Sequence, residues 1–299
     1  MLNSFSQEFG THWVAYPLPN DSSMVLFKHT YVNKQKPLKA FVSFATTGHV
    51  KVYFNERNIS RDIFFSNDTP QQIAIHTVEV SRYLQKGKNT IAVWFAPYQK
   101  APLGKQLSLD YYGILSDSTS FYHAADKDWR CILLPNSYAH VAMSEQDSCV
   151  EVFDNTTFDT EWNGHNSSCH DWLHPTGLAE SLDLPLSTST QLLPFSAQGH
   201  RLRQILSPIS CQEDSLGLHY DFGKYFYGTI RLTLRNAKKG EKIWIDGLGY
   251  TCSGEMDEQV FRRITASEQR FFTVRGDKYF KKSQIQNIEG LEIYNNSVY

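Results

Sequence analysis

Two groups of carboxylates stand out in this chain of 299 residues: Asp154, Asp159 and Glu161 in one stretch, and Glu255, Asp257 and Glu258 in another. Carboxyl groups facing each other about 5 to 9 Å apart can divide acid and nucleophile or base roles in glycoside cleavage. Neither spacing marks a pair with one raised pKa. No catalytic residue is therefore assigned, and Asp159 and Glu161 stand as the candidates if there is one. His165, Cys169, His170 and His174, with Asp171 among them, carry donors that suit zinc, but not at the paired spacing of structural zinc sites. The expectation is a loop held down by Trp172, with no metal and no cofactor. Sugar recognition needs an aromatic face for the C–H side of a pyranose and amides or carboxylates for its hydroxyls. Trp129, Trp162, Trp172 and the run Tyr225–Tyr227 offer the first; Asn163, Asn166, Asp159, Glu161 and His165 offer the second. The competing reading is that these aromatics pack strands; it is favoured for Trp94 and Trp172 and evenly balanced for Trp162. The expected carbohydrate set is Trp129, Trp162, Asn163, His165 and Asn166. No G-x-S-x-G elbow, P-loop or dinucleotide fingerprint occurs, and Gly247-Leu248-Gly249 reads as a turn.

The elements that must position these residues are strands. Hydrophobic content of 41% with 20% charged residues describes a globular chain. A formal net charge of −2 suggests neither a nucleic-acid surface nor a basic membrane patch. No window approaches the ~18 apolar residues that span a bilayer. The N-terminal MLNSFSQEFGTHWVAYP has no basic region before an apolar run, so no secretory signal is expected in it, and the compartment stays open between cytoplasm and periplasm. Five widely spaced cysteines without C-x-x-C argue against a disulfide scaffold. Met24–Tyr31 reads as a strand. Lys39–Phe44 and Val50–Phe54 read as one hairpin, followed by a turn at Asn55–Asn58. Ser81 is placed to cap a single helical turn that Gly87 ends, and Thr90–Ala96, Gln106–Tyr112 and Asp128–Leu134 follow as strands. Residues 154–176 form a polar loop, and 181–210 a Pro-containing linker. Beyond it, Tyr220–Gly228 leads into a strand, Thr229–Arg235, expected to pair through the turn Ala237–Glu241 with Ile243–Ile245 as a hairpin ending at Asp246. The fold class is all-β and mostly antiparallel, in sandwich form.

The order of these pieces resembles a known family. "ATTGHVKVYFNERNIS" followed by "VEVSRYLQKGKNTIAVWF" is similar to the galactose-binding-like jelly roll on the N-terminal side of large glycoside hydrolases, where an Asn-Gly tip precedes D-V-T-x-x-L-x-x-G-x-N-x-[IL]-x-V. Val78, Val80, Ser81, Leu84, Gly87, Asn89, Ile91 and Val93 occupy those places. Asn55-Glu56 departs from the usual Asn-Gly, and Glu79 stands at or beside the expected Asp. "EVFDNTTFDTEWN", "YDFGKYFYGTIRLTL" and "FFTVRG…IEGLEIYN" resemble segments of bacterial α-L-rhamnosidases ahead of their catalytic (α/α) barrel. The resemblance implies two antiparallel β-sandwich domains, about 1–180 and 195–299, without the barrel. It implies a noncatalytic accessory protein that binds a rhamnose-containing oligosaccharide or docks on a catalytic subunit, with Lys224, Tyr225 and Tyr227 left to face that partner. The alternatives are an α-L-rhamnosidase-like hydrolase in its own right and a structural module with no ligand. Neither nucleic acid nor membrane is an expected partner.

Overall fold

A computed structural model of the chain describes residues 12–18, 23–60, 73–97, 106–143, 146–156, 158–178, 186–187 and 202–293. The described elements are β-strands and two short 3-10 turns. By contact the chain divides into two compact units. One comprises Met1–Ser60, Thr69–Leu134 and Asp159–Ala197; the other comprises Arg61–Asp68, Pro135–Phe158 and Gln198–Tyr299. The excursion Pro135–Phe158 is additional to the linear division expected near 180 and 195. Of the expected linker, residues 181–185 and 188–201 lie outside the described residues, whereas Leu202–Leu206 is a strand.

The first unit is a sandwich of two antiparallel sheets. One runs in the order Thr176–Leu178, Trp13–Ala15, Gln106–Ile114, Lys39–Thr46, His76–Glu79, with Ser120–Ala124 also paired to Gln106–Ile114. The other contains Ser23–Asn33, Gly87–Pro97, Gly48–Phe54 and Arg57–Asn58. Val25, Phe27, Val52, Phe54, Ile91, Val93 and Phe95 meet Ala40, Val42, Leu107, Leu109 and Tyr111 in one core. Burying these alternate residues is the main force holding the sheets together.

The expected hairpin of Lys39–Phe44 with Val50–Phe54 does not form. Lys39–Thr46 pairs over eight positions with Gln106–Ile114, and Gly48–Phe54 over seven with Gly87–Pro97. Thr46, Thr47 and Gly48 instead carry the chain from one sheet to the other. Gly48 is required at this crossing, because a Cβ there would stand 2.5 Å from the Ala96 carbonyl oxygen. Alternation reports a buried face on each strand and is silent about the pairing partner. The turn Ser81–Tyr83 is present, but the Ser81 hydroxyl does not cap it; it accepts from Ala40 N and donates to Glu79.

In the second unit, the long strand Gly217–Arg235 is the spine. Its first half pairs with Ser210–Asp214 and Ser267–Gly276, its second half with Ile285–Ile293 and Asp257–Phe261. Here too the expected hairpin, Thr229–Asp246, is not what forms. Lys242–Ile245 pairs with Leu248–Thr251 and with Ser267–Gly276, and not with Gly217–Arg235. Asn236 (φ 59°) and Gly240 (φ 83°) redirect the chain, and the Glu241 carboxylate accepts from Lys238 N to tie that connection. The true hairpin turn is Asp246-Gly247, between the paired residues Ile245 and Leu248.

Tyr220–Gly228, expected as a lead-in, is continuous strand interrupted by a bulge. Register jumps from Asp221 opposite Phe271 to Phe226 opposite Gln269. Gly223 supplies the left-handed conformation the bulge needs (φ 78°), and the Asp221 carboxylate accepts from Gly223 N at 2.7 Å. Phe222, Phe226 and Phe272 remain inside as a ring cluster.

Candidate functional site

The polar loop beginning at Asp159 lies across the outer face of the sheet that contains Ser23–Asn33. Trp162 anchors it, meeting Tyr53 edge-on at 5.5 Å and Trp94 edge-on at 6.4 Å. Lys28, itself buried, donates from Nζ to the Ser167 carbonyl at 3.1 Å and lies over the Trp172 ring. This cover explains why Lys28 and Trp94 are buried although they lie on the face opposite the core. Within the loop, Asp159 is the organiser. Its Oδ1 accepts from Glu161 N at 2.9 Å and its Oδ2 from the Ser167 hydroxyl at 2.8 Å.

The result is a cleft of about 310 Å³ lined by Glu56, Thr160, Glu161, Asn163, Gly164, Asn166 and Ser167. Glu56 reaches it from the turn between Gly48–Phe54 and Arg57–Asn58. Asn55 (φ 47°) and Glu56 (φ 67°) form the two-residue loop of that hairpin, both in left-handed backbone. Asn55 is well suited: its amide donates to Tyr83 O and Asn89 Oδ1 and accepts from Thr90 N. Asn89, fully buried, completes the network by exchanging two bonds with the Gln85 backbone. Glu56 is a costly occupant, because a side chain in left-handed backbone is disfavoured by roughly 1 kcal/mol or more. Gly164 faces it closely; a Cβ there would stand 2.6 Å from Glu56 Oε1.

The structure places the expected residues unevenly. Asn163 and Asn166 line the cleft with Glu161, while His165 is exposed on the same loop outside the lining. Trp162 (4% exposed) and Trp129 (0%) are packed in the first unit, so neither presents a ring face to a sugar. Trp129 instead donates from Nε1 to the Tyr31 hydroxyl at 3.2 Å. Asp159 accepts one bond on each oxygen from its own loop, which fixes its carboxylate as a loop organiser. The His/Cys set does not converge. His174 Nδ1 bonds the Lys127 carbonyl and its other nitrogen contacts Arg130, while His170 faces its neighbour Asp171. Glu56 is a lining residue that the sequence reading does not single out. Its one signal there is the departure from Asn-Gly.

In the second carboxylate group, Asp257 and Glu258 hold structure. Asp257 pairs with Arg235 at 2.9 Å. Glu258 is fully buried and accepts from Asn155 Nδ2, the Tyr250 hydroxyl, Ser253 N and Oγ, Gly254 N and Glu255 N. Burial pushes its pKa up, but the hydrogen bonds from Ser253, Asn155 and Tyr250 outweigh this and the net shift is downward. Of the expected partner surface, Lys224 is engaged with Glu292 at 2.7 Å and Tyr227 packs half-buried against Ala266 and Ile293. Tyr225 is 66% exposed at the crest of the bulge.

No protein-family model and no curated protein matches the sequence. Solved structures do match. An α-L-rhamnosidase from Dictyoglumus thermophilum superposes with a TM-score of 0.77 at 16% identity, over 97% of this chain and 36% of that one. The fold is that of a part of α-L-rhamnosidase chains. The Streptomyces avermitilis α-L-rhamnosidase complexed with L-rhamnose matches with a TM-score of 0.72 at 16% identity, over 93% of this chain and 29% of its own. The Aspergillus terreus enzyme matches with 0.75 at 14% identity, over 98% and 37%. This chain thus spans about a third of the length of the rhamnosidases it resembles.

Proposed function

We propose that this chain is a noncatalytic rhamnosidase-type accessory module that holds a terminal sugar of a rhamnose-containing oligosaccharide in the Glu56–Glu161 cleft. The observation that carries the reading is that cleft: two carboxylates, two side-chain amides and two hydroxyls line a volume of about 310 Å³. Carboxylates accept from vicinal hydroxyls, and the Asn163 and Asn166 amides both donate and accept. No open aromatic ring lines it, so binding rests on hydrogen bonds and is weak, with Kd on the order of 1 mM, or about −4 kcal/mol. Titration calorimetry with L-rhamnose and with rhamnosyl oligosaccharides tests this. Heat that disappears in Glu161→Gln and Asn163→Ala supports the reading, and silence across the panel rejects it. Release of nitrophenol from an aryl α-L-rhamnoside would instead favour the hydrolase alternative.

A second reading is docking on a catalytic subunit through the second unit. Ile209 (69% exposed), Tyr225 and Phe271 (57%) are large apolar side chains set around the Gly223 bulge, and the Ile209 side chain lies 3.2 Å from where a Cβ on Gly223 would stand. Such residues act as anchors in interfaces. Light scattering of this chain mixed with a rhamnosidase catalytic barrel, with Tyr225→Ala as control, tests it; no complex, or one indifferent to Tyr225, counts against it.

A further inference from the structure

A second cleft, of about 390 Å³, opens in the first unit where Ser23–Asn33 passes Ser120–Ala124 and the turn that follows. It shares no residue with the Glu56 cleft. Its inner wall is a ring stack. His123 lies on Tyr31 at 4.8 Å, His29 meets Tyr31 edge-on at 4.4 Å, and His29 stacks over Trp129. These contacts hold the imidazoles in place, and Tyr31 and Trp129 behind them are core. His29 Nδ1 bonds the Asp128 carbonyl at 3.3 Å, which leaves Nε2 as an acceptor when that contact is a donated N–H.

The rim is formed by Asp126 and Asp128. Asp126 Oδ1 accepts from Asp128 N at 2.8 Å, and among the described residues its second oxygen takes no hydrogen bond. Among the described residues neither carboxylate has an ion-pair partner. Burial lowers the pKa of both histidines, with His29 adding to the effect at His123 and the nearby aspartates opposing it. Two carboxylates at the rim and two imidazoles on the wall make the cleft rich in acceptors and poor in donors. Among the described residues no three His, Cys, Asp or Glu side chains come together as metal ligands. An acceptor-rich cleft that carries two carboxylates, with the His123 and Tyr122 rings and Val32 among its lining, suits a cation that also has a carbon body.

We propose that the cleft of His29, Tyr31, His123, Asp126 and Asp128 binds a small protonated amine carried on a carbon skeleton of about monosaccharide size. The decisive comparison uses probes of one skeleton and different charge: glucosamine, glucose and N-acetylglucosamine. Histidine ring resonances of the intact chain are followed by NMR at pH 7 during each titration. The expected result is that glucosamine shifts the His29 and His123 signals saturably while the two neutral sugars do not. Asp126→Asn and Asp128→Asn, checked for an unchanged melting temperature, should each weaken glucosamine at least about fivefold. That is the factor for one unit charge ~4 Å from a cation in a fully wet setting. Glu161→Gln, in the other cleft, should leave this titration unchanged. Equal shifts with glucose overturn the proposal in favour of a neutral polyol site. No shifts with any probe, or full affinity in both Asn variants, overturns it outright.

Discussion

Glu258→Gln isolates what a buried carboxylate contributes to the second unit. The substitution keeps shape and removes charge from a group that takes bonds from six donors. The new amide nitrogen is best placed at Oε1, where the Tyr250 and Ser253 hydroxyls can rotate to accept. Asn155 can also turn its amide, since its Oδ1 is buried without a partner. What no rotation repairs is the loss of charge on the bonds from Ser253, Gly254 and Glu255 N–H groups. A hydrogen bond to a charged acceptor contributes about 1 kcal/mol more than a neutral one, so three give about 3 kcal/mol. Relief of the buried charge returns part of this, leaving about 1.5 to 3 kcal/mol of destabilisation. Hydrogen exchange read by mass spectrometry on residues 253–255 reports this locally, without assuming that the two units unfold together. Because the folded pKa of Glu258 is depressed, its contribution is complete above the ordinary glutamate pKa of 4.5 and is lost as pH falls through the folded value. The gap between wild type and variant should therefore narrow on acidification. A gap below about 0.5 kcal/mol at pH 7, or one that does not narrow, refutes the reasoning.

Glu56→Gly should raise the melting temperature, recovering about 0.5 to 1 kcal/mol of left-handed strain, while weakening any rhamnose signal in calorimetry. Trp162→Ala should cost about 3 to 5 kcal/mol and release the loop from Asp159 onward, seen as early proteolysis between 159 and 170. The bidentate pair with Arg270 and the Gly223 amide hold the Asp221 carboxyl down at about 2. Its support of the bulge is thus present above pH 4 and lost only as pH falls toward 2. Arg270→Ala should bring that loss to higher pH, measured by amide exchange at Gly223 and Tyr225.

Two features of the site show where legibility ended. Asn163, Asn166 and Glu161 could be picked out because amides and carboxylates clustered in a Gly-containing loop are cheap to read. Trp162 and Trp129 were expected in the carbohydrate set, yet an aromatic beside such a loop serves equally as platform or anchor, and only their burial separates the two roles. Glu56 lies about a hundred positions away from Glu161 in the chain, and nothing local announces that a hairpin tip and a distant loop share a cleft. The His29–His123 cleft was invisible for the same reason, its walls being drawn from separate strands.

Alternation and turn residues alone determined that this chain is all-β, because period-two burial and left-handed Asn and Gly positions are local properties of the backbone. Asn55, Gly87, Gly223 and Gly240 all sit in that left-handed region, which their types tolerate at least cost. Pairing was decided only in three dimensions. Lys39–Thr46 and Gly48–Phe54 sit next to each other in the chain, yet each pairs along its whole length with a strand distant in sequence. The same holds for Gly217–Arg235, whose 19 residues take four partners and leave the next strand to others. Local sequence specifies which face of a strand must be dry, and the competition among all such faces specifies what covers it.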